Sequence, residues 1–383
     1  MTIVLVALAA FLYWMALYLY MPTLPTYVQS KSSNLALVGI VLAQYGLWQA
    51  IVRLPLGIAA DWVGWRKPFI VGGCMLAGLG ALAMGLANGV NGLLVGRAIT
   101  GLAASTWVPL VVVFSSLFPP DEAVRASAIL TFVGSVGRVL ATGVTGALNE
   151  WGGYRLAFFL AAGAAVLAIL VALPVRESRR PPQRPSLGGV GKLVSRRDVL
   201  LPSLLAAVSQ YVNWAATFGF TPILARQLGA TDATQSLLLS MNIGIVTLGN
   251  LAATAIVERI GARRLVTTSF VLASLGLGGA ALARSLALLF VSQFCIGLSQ
   301  GVGYPVLMGM SIQYVADGER ATAMGLHQAV YAIGMFGGPW LSGMLADALG
   351  IQPMFGVTAF VCLAAGLGIT RGLAALRGVE SCP

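Results

Sequence analysis

Twelve apolar runs, each long enough to cross a bilayer, divide this chain, and no other feature constrains its fold as tightly. They fall at about 2–22, 35–58, 68–87, 92–117, 125–148, 153–175, 200–224, 234–257, 265–283, 286–314, 321–346 and 351–373, separated by short charged or Pro/Gly-rich gaps. A membrane-spanning helix takes about 20 residues, so twelve of them use most of the 383 residues and leave no room for a sizeable water-soluble domain. Composition agrees: 9% of residues are charged, against about 25% in soluble chains, and the mean hydropathy is +0.88. The predicted fold class is an all-α membrane protein of twelve transmembrane helices in two six-helix bundles. The first run has no basic start and ends in Tyr20, Met21 and Pro22 instead of a small-residue cleavage site, so it reads as an uncleaved first span.

Charge then sets the expected orientation. The formal net charge is +11, which on a soluble chain would raise nucleic acid as a partner. Here the basic residues punctuate apolar runs, and the reading is no nucleic acid. Sixteen Lys and Arg fall in the termini and even-numbered gaps, against four in the odd-numbered gaps (Lys31, Arg155, Arg226 and Arg284). By the positive-inside bias both termini are expected in the cytoplasm of a multi-pass inner-membrane protein. The segment 176–199, rich in Arg, Pro and Gly, reads as a basic cytoplasmic linker between an N-terminal bundle at 1–175 and a C-terminal bundle at 200–383. Four scattered cysteines lack paired metal-ligand spacing and are expected to pack as small apolar residues, with no disulfide, metal or cofactor.

The two halves repeat at an offset of about 200 residues. DWVGWRK at 61–67 recurs as ERIGARR at 258–264; Trp14 and Pro22 match Trp214 and Pro222; Gly137 and Gly146 match Gly334 and Gly343. Parallel repeats of this kind characterise one large class of secondary transporter, whose substrate site lies at the midplane between them.

The stretch GIAADWVGWRK, from Gly57 to Lys67, resembles the loop between helices 2 and 3 of the major facilitator superfamily: glycine, three residues, Asp61, two residues, Gly64, one residue, then Arg66 and Lys67. Trp62 and Trp65 stand where that family usually has Arg. The resemblance covers nearly the whole chain and implies alternating access. It gives Asp61 the family's role in latching the halves on the cytoplasmic side, with Gly57, Gly64, Arg66 and Lys67, and with Glu258, Gly261 and Arg263 as the repeat copy. The plainer alternative is a topological anchor. Span 4 opens with GRAITGLAAS, similar to the family's Arg-x-x-x-Gly pattern, which makes Arg97 the intramembrane arginine; the repeat places neutral Gln293 opposite it. Arg97 is close enough to the span's end either to snorkel outward or to serve the cavity.

Span 5 carries the most chemistry. Thr131, Ser135, Arg138, Thr142 and Thr145 recur at helical spacing on one face, beside small residues Gly134, Gly137 and Ala141 suited to close helix packing. A charge at the bilayer centre costs about 2.5–3.5 kcal/mol on insertion scales, so Arg138 is expected to face water, a counter-charge or an anionic ligand; bonding to backbone carbonyls is the alternative. The family's antiporter signature in this helix is degenerate, with Ala141 and Thr142 in the Gly-Pro positions. Spans 1, 4, 7 and 10 line the cavity in the family, which adds Tyr13, Trp14, Gln210, Asn213, Trp214, Gln300 and Tyr304 as candidates, with Tyr331 near them on span 11. Aromatic area with amide hydrogen bonding suits an organic molecule of moderate size; helix-to-helix packing competes for each residue.

All twelve acidic residues fall in gaps or at span ends, which disfavours a pump for cations. His327 is the single histidine and the candidate proton site. The resulting expectation is a monomeric secondary transporter, not an enzyme, that moves a small organic solute, anionic or amphipathic, with protons as a candidate coupling ion. Proton-coupled multidrug efflux, flipping of a lipid or lipid-linked sugar, and a non-transporting membrane sensor are the competing readings.

Overall fold

The computed structural model of the chain describes residues 1–119, 122–177, 191, 193–316 and 319–380, and at 61, 124, 321 and 371–380 it describes the backbone without the side chain. Most of the expected linker, and the side chain of Asp61, therefore lie outside the described residues. Every regular element among those described is helical. Ten helices are long and apolar enough to cross a bilayer. One of them, Ala123–Ala172, is two helices broken at Gly152 and Gly153, and the shorter apolar helix Thr2–Tyr18, prolonged after a turn by Leu24–Gln29, adds a twelfth crossing.

The crossings are α1 (Thr2–Tyr18 with Leu24–Gln29), α2 (Leu35–Val63), α3 (Lys67–Leu86), α4 (Val90–Ala104 with Trp107–Ser115), α5 and α6 (123–151 and 154–172), α7 (Arg197–Ala215, a wide turn at Ala216–Phe220, and Thr221–Gln227), α8 (Asp232–Ile260), α9 (Ala262–Ala281), α10 (Leu286–Ile312), α11 (Arg320–Leu349) and α12 (Ile351–Glu380).

The interruptions have local causes. Pro109 lacks an N–H and its ring crowds the carbonyl four residues back, which is that of Ser105, where α4 breaks. The hydroxyls of Ser105 and Thr106 turn inward to Gly101 O and Ala103 O there. Pro25 follows the break in α1, and Pro222 follows the wide turn in α7, so the first helix of each repeat is irregular at a corresponding place. Positive-φ glycines recur in the same way. Gly64 and Gly261 close α2 and α8, and Gly153 and Gly350 separate α5 from α6 and α11 from α12.

The chain divides into two compact units, Met1–Ser33 with Leu47–Pro185 and Ala230–Ser240, and Asn34–Gly46 with Ser186–Gly229 and Met241–Pro383. In the first, α1 packs along the α5–α6 segment, and α3 packs on α4 and on that segment. In the second, α7 packs on α11 and α10, and α9 on α10 and α12. Helix partners thus repeat as the sequence does. Glycines set the closest approaches: any Cβ at Gly334 would run into the Ala207 carbonyl, and one at Gly137 would lie 2.8 Å from Phe11 O. Large apolar side chains such as Phe132, Leu140, Leu248, Leu275 and Phe360 are exposed, a surface suited to lipid.

Candidate substrate site

In the first unit the chemistry gathers around Arg138. Gly134 lets α5 approach α1 so closely that a Cβ there would lie 2.6 Å from Trp14 Cδ1. Trp14 is thereby brought to Arg138, whose guanidinium carbon sits 4.8 Å from the Trp14 ring centroid and 5.7 Å from that of Tyr18. Trp107 of α4 stands edge-on to Trp14 at 5.1 Å. Nη2 of Arg138 donates to Ser135 Oγ at 2.8 Å. Its Nε, and Nε1 of Trp14, are buried with no acceptor among the described residues. Arg138 and Trp14 as whole side chains are half-buried, so the pair is not sealed in the packing. Thr142 donates to Arg138 O at 2.8 Å and lies 2.8 Å from Ser240 Oγ. Thr131, on the same face, is exposed.

Two other candidates in this unit are buried, and one of them, Tyr13, stands edge-on to Trp14 at 5.5 Å. Tyr13 is 1% exposed and donates to Ala103 O at 2.8 Å. Arg97 is 1% exposed beside the phenol of Tyr20, so it does not snorkel to the surface. Arg53 of α2 was not singled out from the sequence. It is 8% exposed, near Tyr13, with buried Gln49 one turn earlier; the signal was a lone arginine inside an apolar run.

The second unit holds the remaining candidates. Trp214 stacks on Tyr45 at 4.9 Å and packs on Phe218 at 4.7 Å; nothing in the sequence pointed to Tyr45. Gln293 is fully engaged: Thr217 and Asn242 donate to its Oε1 at 3.0 and 3.1 Å, and its Nε2 donates to Thr221 Oγ1 at 2.9 Å. Gln300 donates to Ser209 O at 2.7 Å. These two amides tie α10 to α7 and, for Gln293, α8. Gln210 is half-buried, and Asn213 leaves its Oδ1 buried without a partner among the described residues. Tyr304, His327 and Tyr331 do come together, with ring centroids 5.7–6.4 Å apart. His327 is fully buried. Ser203 Oγ donates to Val199 O at 2.7 Å and lies 3.1 Å from His327 Nδ1. Nε2 faces no partner among the described residues.

At the motif loop, Glu177 accepts from the backbone N–H of Arg66 (3.0 Å) and Lys67 (2.7 Å) at the start of α3. A carboxylate at a helix N-terminus satisfies orphan donors and the helix dipole. Lys67 Nζ reaches the carbonyls of Leu173 and Val175. Gly57 is half-buried, Gly64 makes the left-handed turn, and its counterpart Gly261 does the same. Glu258 and Arg263 are exposed.

Apolar crossings in two repeats, each with buried polar and aromatic clusters, are the architecture of a multi-pass membrane protein. The family model described as Major Facilitator Superfamily matches residues 6–209 and 203–377, and the chain belongs to that family, whose members are transporters of small-molecule substrates and not enzymes. Among curated relatives, the multidrug resistance protein MdtG of Escherichia coli O9:H4 (strain HS) is 25% identical over 93% of this chain and 90% of its own. The inner membrane transport protein YajR of Escherichia coli (strain K12) is 35% identical, but over 24% of this chain and 20% of its own. A bacterial homologue of the human lysosomal transporter Spinster shares the fold, with a TM-score of 0.81 at 16% identity over 97% of this chain and 96% of that one.

Proposed function

We propose that this protein is a secondary active transporter that moves a small organic solute, anionic or amphipathic, by alternating access of two bundles at 1–175 and 200–383, as a monomer with both termini in the cytoplasm. The observation that carries this reading is the setting of Arg138. Its guanidinium lies against Trp14 and Tyr18, is half-buried, and pairs with no carboxylate among the described residues. A charge held at mid-membrane depth without a counter-ion favours a ligand that brings one. Uptake of labelled benzoate and related organic anions into proteoliposomes, with and without a pH gradient, tests it. Saturable flux lost in Arg138→Met supports the reading, and flux restricted to organic cations overturns it.

A second reading, proton-coupled multidrug efflux, is favoured by MdtG, a multidrug resistance protein alike over nearly the full length of both chains, and by the bare Nε2 of His327. Its test is a His327→Gln variant: export that no longer responds to an imposed pH gradient supports it, and unchanged coupling counts against it.

A further inference from the structure

Two buried donors on touching side chains of the first unit have no acceptor among the described residues. Arg138 Nε–H and Trp14 Nε1–H belong to side chains in contact, with the guanidinium carbon 4.8 Å from the indole centroid, and neither atom finds a partner among the described residues. Buried donors are nearly always satisfied, because leaving one unmade forfeits its hydration without return. Both could be satisfied by one oxyanion, since each group donates and neither accepts.

The charges in direct contact at the cluster can be counted. Arg138 contributes one positive charge, while Ser135, Trp14, Tyr18 and Trp107 around it are neutral. A single negative charge therefore closes the balance, whereas a second would stay uncompensated in a low-dielectric interior, where unpaired charge is costly. Around the guanidinium the surfaces are aromatic faces and edges, which favour a flat apolar body beside the charged group.

We infer that Arg138 and Trp14 together hold the single negative group of a monoanionic organic substrate with a flat apolar body, and that the site discriminates against dianions. This rests on the anion reading proposed above and adds to it the charge of the substrate and the indole N–H as a second donor.

The test uses the purified full-length protein in detergent and four probes of one shape: benzoate, phthalate, benzamide and benzylammonium. Binding by calorimetry should favour benzoate over phthalate and over benzamide by at least about tenfold, a factor equivalent to about 1.4 kcal/mol. Trp14→Phe keeps a ring over Arg138 but removes the N–H, and should weaken benzoate about three- to tenfold while leaving benzamide alike. Arg138→Met should abolish the preference for benzoate over benzamide. Phthalate bound as tightly as benzoate, with both dependent on Arg138, overturns the monoanion inference and leaves the anion reading standing. Benzylammonium or benzamide bound more tightly than benzoate overturns both, as does the absence of any benzoate binding. Trp14→Phe indistinguishable from the parent removes the indole from the site.

Discussion

The side-chain amide of Asn149 donates to Oδ2 of Asp232 at 2.9 Å, joining α5 of the first sequence repeat to the first residue of α8 in the second. The same nitrogen donates to Thr23 Oγ1 at 2.9 Å. One turn earlier on α5, a Cβ at Gly146 would collide with the backbone of Ala233. A related junction forms where the N–H of Leu35, first residue of α2, donates to Asp347 Oδ1 at 2.9 Å near the end of α11. There Gly39 and Gly343 meet backbone to backbone. Each junction joins helices of different repeats, so the alternating access proposed above requires it to part.

Linking the α5–α8 junction should therefore stop turnover. Thr142 Oγ1 and Ser240 Oγ are 2.8 Å apart, so cysteines placed at both positions are within reach of a disulfide after small rotamer changes. Oxidised T142C/S240C protein is expected to bind substrate but not cycle, and reduction should restore transport. Full activity of the oxidised form would show that this junction does not open in the cycle.

Much of this architecture is legible in the sequence because it follows from local chemistry. Apolar length gives the spans and the repeat gives their pairing into halves. Proline alone does not mark the breaks: Pro109 and Pro222 adjoin interruptions, but Pro55, Pro202, Pro305 and Pro339 lie inside continuous helices. Pairing across helices is not legible in that way. The spacing of Ser135, Arg138 and Thr142 puts them on one face, but nothing local says that Trp14 lies over Arg138, or that Tyr45 stacks on Trp214. Residue type leaves partners open in the same manner: Gln293 and Gln300 read as cavity amides or as helix-to-helix links, and their bonds go to neighbouring helices. Glu177 was hidden in the segment read as linker, where a cap cannot be told from a solvated charge.

Glycine contacts give a prediction with an internal control. Gly334→Ala puts a methyl group into the Ala207 carbonyl at the α7–α11 crossing, and because both atoms belong to packed helix backbone, relief requires helix displacement. Overpacking of this kind costs typically about 1–3 kcal/mol, occasionally more. Gly163→Ala meets nothing within 4 Å and should be neutral or stabilising by about 0.5–1 kcal/mol from helix propensity. Thermal melting in detergent separates them: equal melting temperatures for the two variants would mean that the α7–α11 approach is looser than described.

Glu177 and Asp61 should separate stability from turnover. Glu177→Ala removes the carboxylate that caps α3 and should lower stability by about 0.5–2 kcal/mol, the usual range for a lost cap. Asp61→Asn, at the position where the family has its latch residue, is expected to slow transport while leaving the melting temperature near that of the parent. The paired readouts are melting temperature and the initial rate in proteoliposomes. If Asp61→Asn transports at the normal rate, the residue is an anchor and not a latch.

Arg138→Met substitutes the residue that the second repeat carries at the equivalent place, Met335, so a side chain of similar length is already tolerated in related packing. The change forfeits the hydrogen bond to Ser135, worth about 1.5–3 kcal/mol for a charged donor in a protein interior, and stacking on Trp14, worth about 0.5–2 kcal/mol. Against these stands the insertion cost of about 2.5–3.5 kcal/mol for arginine at mid-membrane, which the variant escapes. The opposing terms nearly cancel, so the melting temperature should stay within a few degrees of the parent. Anion affinity has no such offset, and should fall by about 1.5–3 kcal/mol as the charged hydrogen bond to the ligand is lost. Calorimetric affinity and thermal melting of the same sample decide it: unchanged anion affinity together with a clear loss of stability would make Arg138 a packing residue.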